Sequence, residues 1–187
     1  GNPGEVINPA EGKEDEDGSD IVENEQDRNE RLLKEVKAML QNISGWDNIS
    51  YTYEIEVDDS IIVQHYAISG SKIKITMTND DGTESYTYFD TSNGENIYYM
   101  PSEEKAYRSY NESDSLLNES PWAYMALIKD QPIVVAGQEK INGVDCTVVT
   151  YSDSNGDYTL WIDPYLALPV RVAFVNLDGT KSVTNFK

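Results

Sequence analysis

In residues 46–110 and again from residue 133 to the end of the sequence, apolar and polar side chains tend to alternate with a period of two, and this alternation constrains the fold more than any other feature. In residues 49–57, for example, Ile, Tyr and Val at odd positions alternate with Ser, Thr and Glu at even positions. Successive side chains of a strand point to opposite faces of its sheet, so this pattern predicts half-buried β-strands. The chain is therefore predicted to be mainly antiparallel β, with one apolar and one polar face.

Turn-forming residues divide this region into about eleven strands. The strongest hairpin signal is Asn-Asp-Asp-Gly at residues 79–82, and Asn-Gly or Asp-Gly pairs mark turns at residues 142–143, 155–156 and 178–179. The predicted strands are residues 49–57, 61–69, 72–78, 83–89, 96–100, 105–110, 133–141, 144–152, 158–162, 169–175 and 181–186. Links as short as these are typical of a meandering antiparallel sheet.

Two segments carry the spacing of helices instead. In residues 23–44, Leu32, Val36 and Leu40 recur at helical intervals, and charged residues occupy the other positions. Residues 114–130 contain Leu, Trp, Tyr, Met and Ile without strand alternation and predict a second helical segment, interrupted at Pro121. Two helices and a long meander predict an α+β fold in which one curled sheet wraps around the helices.

The N-terminal part of the chain has a composition that does not fold. Residues 1–30 contain eleven acids and two bases, a net charge of −9 within the −20 of the whole chain. Residues 1–22 are predicted to be a disordered acidic linker, and residues 23–187 to be the folded domain. So acidic a chain lacks the basic surface that nucleic acid requires, and an anionic membrane surface would repel it.

Few residues suggest catalysis. His65 is the single histidine and falls in a strand, whereas a catalytic triad or a two-histidine metal site needs partners that the sequence does not identify. The acidic residues of 79–84 and 153–157 resemble calcium ligands, but neither stretch completes a calcium loop, and hairpin turns explain Asn, Asp and Gly between strands better. The single cysteine, Cys146, excludes an intrachain disulfide and is interpreted as a small buried apolar residue. The sequence therefore predicts no enzyme, no metal site and no cofactor.

Three motifs in the second half of the chain, at residues 141–149, 158–164 and 166–171, resemble those of a known superfamily. They read Ile-Asn-Gly-Val-Asp-Cys-Thr-Val-Val, Tyr-Thr-Leu-Trp-Ile-Asp-Pro and Leu-Ala-Leu-Pro-Val-Arg. With the order of helices and strands, they make residues 25–187 resemble the LolA/LolB-like superfamily of bacterial lipoprotein carriers. Trp161 and Arg171 match recurring positions of that family, and both are interpreted as structural.

The resemblance implies an unclosed β-barrel, a half-barrel, covered by the N-terminal helix and by the mid-chain helix as a lid. In the carriers such a barrel encloses an apolar cavity that holds acyl chains, and some relatives act as sensor domains. The resemblance also implies an extracytoplasmic location, as a membrane-anchored bacterial lipoprotein or a periplasmic protein. The acidic leader looks like the spacer that follows a lipidated cysteine. The lipid on such a cysteine would be the protein's sole means of associating with a membrane.

Two functions of different classes remain open, and the 13 tyrosines and 3 tryptophans fit both. The first is a cell-envelope binding protein whose cavity takes a lipid or acyl chain; the alternative is a sensor or interaction domain that fills its own cavity and binds a protein partner. A hydrolase near His65 is a third, weaker hypothesis. The residues predicted to line the cavity are Tyr53, Ile55, Ile73, Ile75, Met77 and Tyr99 from the sheet and Leu117, Trp122, Met125 and Leu127 from the lid.

Overall fold

The computed structural model describes residues 23–43, 47–57, 60–110 and 120–187. The predicted linker of residues 1–22 lies outside this part of the chain, as does Leu117. The elements in chain order are α1 (Glu25–Gln41), β1 (Asn48–Val57), β2 (Ser60–Ser69), β3 (Lys72–Thr78), β4 (Glu84–Asp90), β5 (Glu95–Met100), a 3₁₀ turn (Pro101–Glu103), β6 (Lys105–Tyr110), α2 (Pro121–Ile128), β7 (Val134–Ile141), β8 (Val144–Ser152), β9 (Gly156–Asp163), β10 (Leu168–Asn176) and β11 (Lys181–Phe186).

The strands form one antiparallel sheet in the order β6-β5-β4-β3-β2-β1-β11-β10-β9-β8-β7. Each strand pairs with its neighbour in sequence, except that β1 pairs with β11 and so joins two meanders. In the described sheet β6 and β7 are the two ends, and they do not pair with each other. The predicted fold, an unclosed half-barrel with helices, is therefore confirmed.

Each predicted strand is present, and the predicted bounds differ from the observed ones by no more than two residues. The turn between β7 and β8 shows why the sequence signal is reliable. Asn142 and Gly143 have φ angles of 50° and 86°, the pair of positive values that a two-residue hairpin turn requires. Asn and Gly adopt such angles more readily than other residues, so the pair fixes the position of the turn.

Helix α1 forms where the sequence supplies both a start signal and an apolar stripe. Asn24 caps its first turn, since the Asn24 side-chain oxygen accepts a hydrogen bond of 2.9 Å from the Asp27 backbone N–H. Leu32, Val36 and Leu40, spaced four residues apart, are buried against the sheet. Burying each of these side chains contributes about 1.5–3 kcal/mol, which is what holds the helix in place.

Helix α2 begins at Pro121, so this proline starts the helix instead of interrupting a longer one. The Ser120 hydroxyl accepts a hydrogen bond of 3.2 Å from the Ala123 N–H and caps the helix. Proline suits the first helical turn because its missing N–H would have no partner there. The helix ends at Ile128, two residues before the predicted end, and residues 114–119 of the predicted segment lie outside the described residues.

The two faces of the sheet differ in what covers them. Residues directly opposite each other on paired strands share a face, and on one face the side chains pack against α1 and α2; we call this the inner face. Its buried side chains form the core with Leu32, Val36, Leu40, Met125 and Ile128 of the helices. They are Tyr51, Tyr53, Tyr66, Ile68, Ile73, Ile75, Phe89, Val135, Val149, Tyr151, Leu160, Ile162, Val172 and Phe186.

On the outer face a line of polar contacts crosses the junction of the two meanders. Trp161 Nε1 donates to Glu139 Oε2 at 2.6 Å, and the Arg171 guanidinium lies 5.7 Å from the centre of the Trp161 ring. Arg171 Nε also donates to Asn185 Oδ1 at 2.9 Å, and Asn185 Nδ2 donates to Glu54 Oε1 at 3.3 Å. These contacts connect β7, β9, β10, β11 and β1, which supports the structural interpretation of Trp161 and Arg171.

Candidate functional site

Aromatic rings fill the centre of the inner face beneath α2. The Tyr51 and Tyr66 rings, on neighbouring strands, stack with centroids 5.0 Å apart and planes at 4°. Trp122 of α2 meets Tyr51 edge-on at 6.0 Å, and Phe186 of β11 approaches the same ring at 6.1 Å. Burial raises the pKa of the Tyr51 hydroxyl, so this side chain stays neutral across the physiological range.

Helix α2 is apolar on every side, although only one side of it is buried. Pro121, Met125 and Ile128 face the sheet and are buried, whereas Ala126 is exposed and Leu127 is 41% exposed. None of its eight residues carries a charge. A surface helix normally presents charged or polar side chains to water, so α2 has an unusual outer side for its position.

A second group of rings lies on β8, β9 and β10. Tyr151 and Tyr158 stack with centroids 4.6 Å apart and planes at 5°, and Phe174 lies 4.5 Å from Tyr158. Tyr124 of α2 packs against the buried cluster that contains Tyr151, as Tyr158 does. The rings therefore continue the aromatic surface from the centre of the sheet towards its β7 end.

The Tyr151 hydroxyl is the unusual polar group of this surface. The Tyr151 side chain is 4% exposed, and its hydroxyl oxygen has no hydrogen-bond partner within the described part of the chain. Ser85 Oγ and Asn96 Oδ1, on the inner side of β4 and β5, are buried in the same way. Burial raises the pKa of the Tyr151 hydroxyl, and interactions with Tyr158, Asp153 and Tyr124 raise it further, so the group remains protonated.

The residues predicted from β1 and β3 share the inner face. Tyr53, Ile73 and Ile75 are buried, and Ile55 and Met77 are half-buried. Opposite pairing places Tyr53 beside Gln64 and Gln64 beside Met77, so the two strands present these side chains to the same side. The structure therefore brings together five of the six sheet residues that the sequence predicts to line a cavity.

Tyr99 is the sixth, and it lies on the opposite face. It is paired with Tyr86, and the two rings stack at 6.3 Å with the Lys74 ammonium 4.8 Å above the centre of the Tyr86 ring. The side chain of β5 that shares the inner face is Tyr98, which is opposite Thr87. The prediction for Tyr99 therefore differs from the structure by one residue of register, which reverses the face.

The predicted lid residues are divided between the two sides of α2. Met125 is fully buried and Trp122 packs against Tyr51, so both face the sheet. Leu127 points away from the sheet and is 41% exposed. Leu117, the fourth predicted residue, lies outside the described residues.

Sequence reasoning missed the ring partners that come from distant strands. Tyr51 has the same parity as Tyr53 and could have been found by extending that pattern. Phe186 lies opposite Tyr53 only because β11 pairs with β1, a contact between the two ends of the domain. Tyr66 follows Ile61, Ile62 and Val63, a continuous apolar run that hides which parity faces inward.

A groove of about 500 Å³ crosses strands β2 to β5. Most of its lining side chains belong to the outer face, where Lys74 lies over the rings of Tyr86 and Tyr88. The lining residues are Ala67, Ile68, Ser69, Lys72, Ile73, Lys74, Tyr88, Phe89, Asp90, Glu95 and Ile97. Three of its charged lining residues take part in ion pairs: Lys72 with Asp90 at 3.7 Å, and Glu95 with Arg108 at 3.1 Å.

The residues considered for catalysis are far from a catalytic arrangement. His65 is exposed on the outer face, and its Nδ1 lies 2.9 Å from Thr52 Oγ1. Cys146 is buried, and burial raises the pKa of its thiol, which makes it a poor nucleophile. Within residues 23–43, 47–57, 60–110 and 120–187, no group of three or more His, Cys, Asp and Glu residues could hold a metal ion. Neither helix of this part of the chain is long and apolar enough to span a membrane.

The unclosed antiparallel sheet and its covering helices define a half-barrel with an aromatic inner face. The sequence matches the profile of a family described as a domain of unknown function, DUF4412, over residues 53–167. Because this match covers more than half of the chain, the protein belongs to the DUF4412 family. A comparison with curated protein sequences finds no match.

Comparison with solved structures finds several proteins of similar fold, and one of them supports the half-barrel assignment. The lipoprotein LppX of Mycobacterium tuberculosis superimposes with a TM-score of 0.54 and 15% identity, covering 84% of this chain and 94% of LppX. A LolA superfamily protein of Nitrosomonas europaea gives a TM-score of 0.34 and 11% identity, over 82% and 90% of the two chains. The MucA/MucB complex of Pseudomonas aeruginosa gives 0.40 and 13%, over 83% of this chain and 54% of the other. Of these three, LppX is similar enough to support an argument, and that argument concerns the fold alone.

Proposed function

We propose that this protein is a non-enzymatic binding protein of the bacterial cell envelope that holds the acyl chain of a lipid or lipoprotein along α2, partly against the exposed side of the helix and partly between the helix and the inner face of the sheet. The observation that carries this proposal is the composition of α2. The helix has no charged residue, and Leu127 and Ala126 on its outer side are exposed. Such a helix is stabilised most when apolar groups cover both of its sides and exclude water from them. An acyl chain beside the helix would do this.

The aromatic surface supplies the other wall of the proposed site. Tyr51, Tyr66, Trp122 and Phe186 present ring faces and edges that bury large apolar areas without demanding one ligand shape. Helix α2 has only eight residues and is attached through one buried side, so it is the element that moves to admit the chain. The location follows from this ligand: an extracytoplasmic protein, periplasmic or anchored by an N-terminal lipid, would meet acyl chains.

The first test is native mass spectrometry of protein purified without detergent, followed by organic extraction. We expect a mass excess that disappears on extraction and is identified as a lipid or a fatty acyl compound. The variant Leu127→Asp places a charge on the outer side of α2 and is expected to lower the bound fraction about tenfold, the effect of about 1.4 kcal/mol.

Leu177→Asp is the matched control, because Leu177 is 77% exposed in the turn between β10 and β11. Both variants introduce the same charge at an exposed leucine. A lower bound fraction for Leu127→Asp than for Leu177→Asp would therefore be due to a role of α2 in binding. Equal binding by the two variants would remove α2 from the site. A ligand-free mass for the wild type that stays unchanged after incubation with acyl lipids would contradict the proposal as a whole.

The second candidate function is an interaction or sensor domain that binds a protein partner while its own side chains fill the barrel. It is favoured by the dense packing under α2, where Met125 and Ile128 are fully buried. A clean ligand-free mass would support this candidate, and the partner would then bind at an edge of the sheet. Strand β6 is the more accessible edge, since all six of its residues are exposed.

A further inference from the structure

Tyr151 combines two properties that packing alone does not explain. Its ring stacks on Tyr158 at 4.6 Å and is part of the core, a role that a phenylalanine would perform equally well. Its hydroxyl is buried and has no hydrogen-bond partner among the described residues. A buried hydroxyl without a partner destabilises the folded state, because it has lost its hydrogen bonds to water.

The Tyr151 side chain lies on the part of the inner face that α2 covers. Tyr151 belongs to the same buried cluster as Met125 and Ile128 of α2, and Tyr124 of that helix packs against the cluster, so Tyr151 lies in the core that α2 covers. This is the interface that the proposed function opens to an acyl chain. A destabilising polar group at such a place is common in binding sites, where the ligand supplies the missing partner.

We propose that the Tyr151 hydroxyl donates a hydrogen bond to the carbonyl oxygen of an ester- or amide-linked acyl chain held between α2 and the inner face. This inference rests on the proposed function and adds the chemical class of the ligand's polar end to it. The apolar chain would pack against the rings of Tyr158 and Phe174, and the carbonyl would be the one polar point of contact at this end of the site.

The surroundings of Tyr151 select a neutral carbonyl over a carboxylate. Burial keeps the hydroxyl protonated, because it raises the Tyr151 pKa, so the group is a hydrogen-bond donor. The negative charge of the Asp153 carboxylate also raises this pKa. A free fatty acid would bring a second negative charge towards Asp153 in a chain of net charge −20, whereas an ester or amide would not.

The experiment compares the wild type with Tyr151→Phe, which removes only the hydroxyl. The control is Tyr158→Phe, which removes the neighbouring hydroxyl of the same stack. Each protein is titrated with methyl laurate, lauric acid and dodecane, three probes with the same chain and an ester, a carboxylate or no polar end. Thermal unfolding of each ligand-free protein is measured in parallel.

We expect Tyr151→Phe to weaken methyl laurate binding roughly five- to tenfold, the value of one neutral hydrogen bond, and to leave dodecane binding unchanged. Tyr158→Phe should bind both probes as the wild type does. Lauric acid should bind the wild type more weakly than methyl laurate. Ligand-free Tyr151→Phe should melt about 2–4 °C higher than the wild type, because an unpartnered hydroxyl is gone.

Three results would overturn the inference while leaving the proposed function intact. They are equal methyl laurate affinity of Tyr151→Phe and wild type, an equal loss of dodecane binding, and tighter binding of lauric acid than of its ester. A lower melting temperature for ligand-free Tyr151→Phe would show that the hydroxyl already has a partner within the protein. If the wild type binds none of the three probes, the proposed function fails, and this inference fails with it.

Discussion

At the scale of single residues, Gly156 determines how closely β9 and β10 approach under the second ring group. Its φ of 154° is one that only glycine adopts comfortably, and an added Cβ would lie 2.1 Å from the Val175 carbonyl oxygen. The same Cβ would lie 2.9 Å from Phe174 Cε2, so a larger residue would displace the Phe174 ring. The aromatic stack therefore depends on a residue without a side chain.

The first prediction concerns this glycine. Gly156→Ala should lower the free energy of unfolding by about 2–4 kcal/mol, because it combines an unfavourable φ with a backbone clash. Gly179→Ala is the control: it also has a positive φ, 87°, but an added Cβ meets nothing within 4 Å, so only about 1–2 kcal/mol should be lost. Urea unfolding of both variants measures the difference, and equal losses would show that the approach to Val175 is not close in solution.

The sequence shows which side chains of a strand face inward where apolar and polar residues alternate clearly, and it does not where both faces of the strand are apolar. In β3, lysines and threonines alternate with Ile73, Ile75 and Met77, so the inner side is unambiguous. In β5, Ile97 and Tyr99 lie on one face and Tyr98 and Met100 on the other, so hydrophobicity does not decide between them. Pairing with β4 decides, and that information is tertiary.

At the scale of elements, the short helix α2 depends on its cap. Ser120 is 1% exposed, and its hydroxyl is the partner of the Ala123 N–H at 3.2 Å. An eight-residue helix has too few internal hydrogen bonds to form without tertiary support, so the cap contributes to its position as well as to its stability. In the proposed function, this position sets how readily the helix moves.

The second prediction distinguishes the effect of the α2 cap on folding stability from its effect on ligand release. Ser120→Ala should cost about 1 kcal/mol of stability and should increase the dissociation rate of a bound acyl probe several-fold, because α2 is loosened. Asn24→Ala removes the equivalent cap of α1, where Asn24 Oδ1 accepts from the Asp27 N–H, and should cost similar stability without changing the rate. Stopped-flow release of a fluorescent fatty acyl ester measures the rates, and equal rates for the two variants would argue against α2 as the lid.

Element bounds were predictable because turn chemistry is local. Asn142-Gly143 needs only its own two φ angles to fix the end of β7 and the start of β8. Pro121 was harder, since proline both breaks and begins helices, and the cap at Ser120 decides which occurs. The pairing of β1 with β11 had no local signal, because it joins residues more than 120 positions apart.

At the scale of the whole molecule, acidic residues and buried apolar residues are concentrated in different parts of the chain. Residues 1–22 carry seven acids and one base, whereas the buried apolar residues of the core begin at Leu32. The ion pairs of the described residues involve exposed groups, such as Arg31 with Glu23 and Glu35, and pairs of this kind contribute little. Stability is therefore expected to come from the apolar contacts of α1, α2 and the inner face, not from charge.

The last prediction tests where the folded unit begins. Removing residues 1–22 should leave the melting temperature unchanged within about 2 °C, because the core side chains of the described residues begin at Leu32 and so acidic a segment is not expected to bury apolar surface. Removing residues 1–33 takes away the cap at Asn24 and the fully buried Leu32, whose loss alone costs about 2–5 kcal/mol, so this protein should melt much lower. Calorimetry of both proteins beside the full chain locates the boundary between residues 22 and 33. A substantial loss of stability in the shorter deletion would mean that the acidic segment packs on the barrel, and its charge would then belong to the folded domain and to any account of what the site admits.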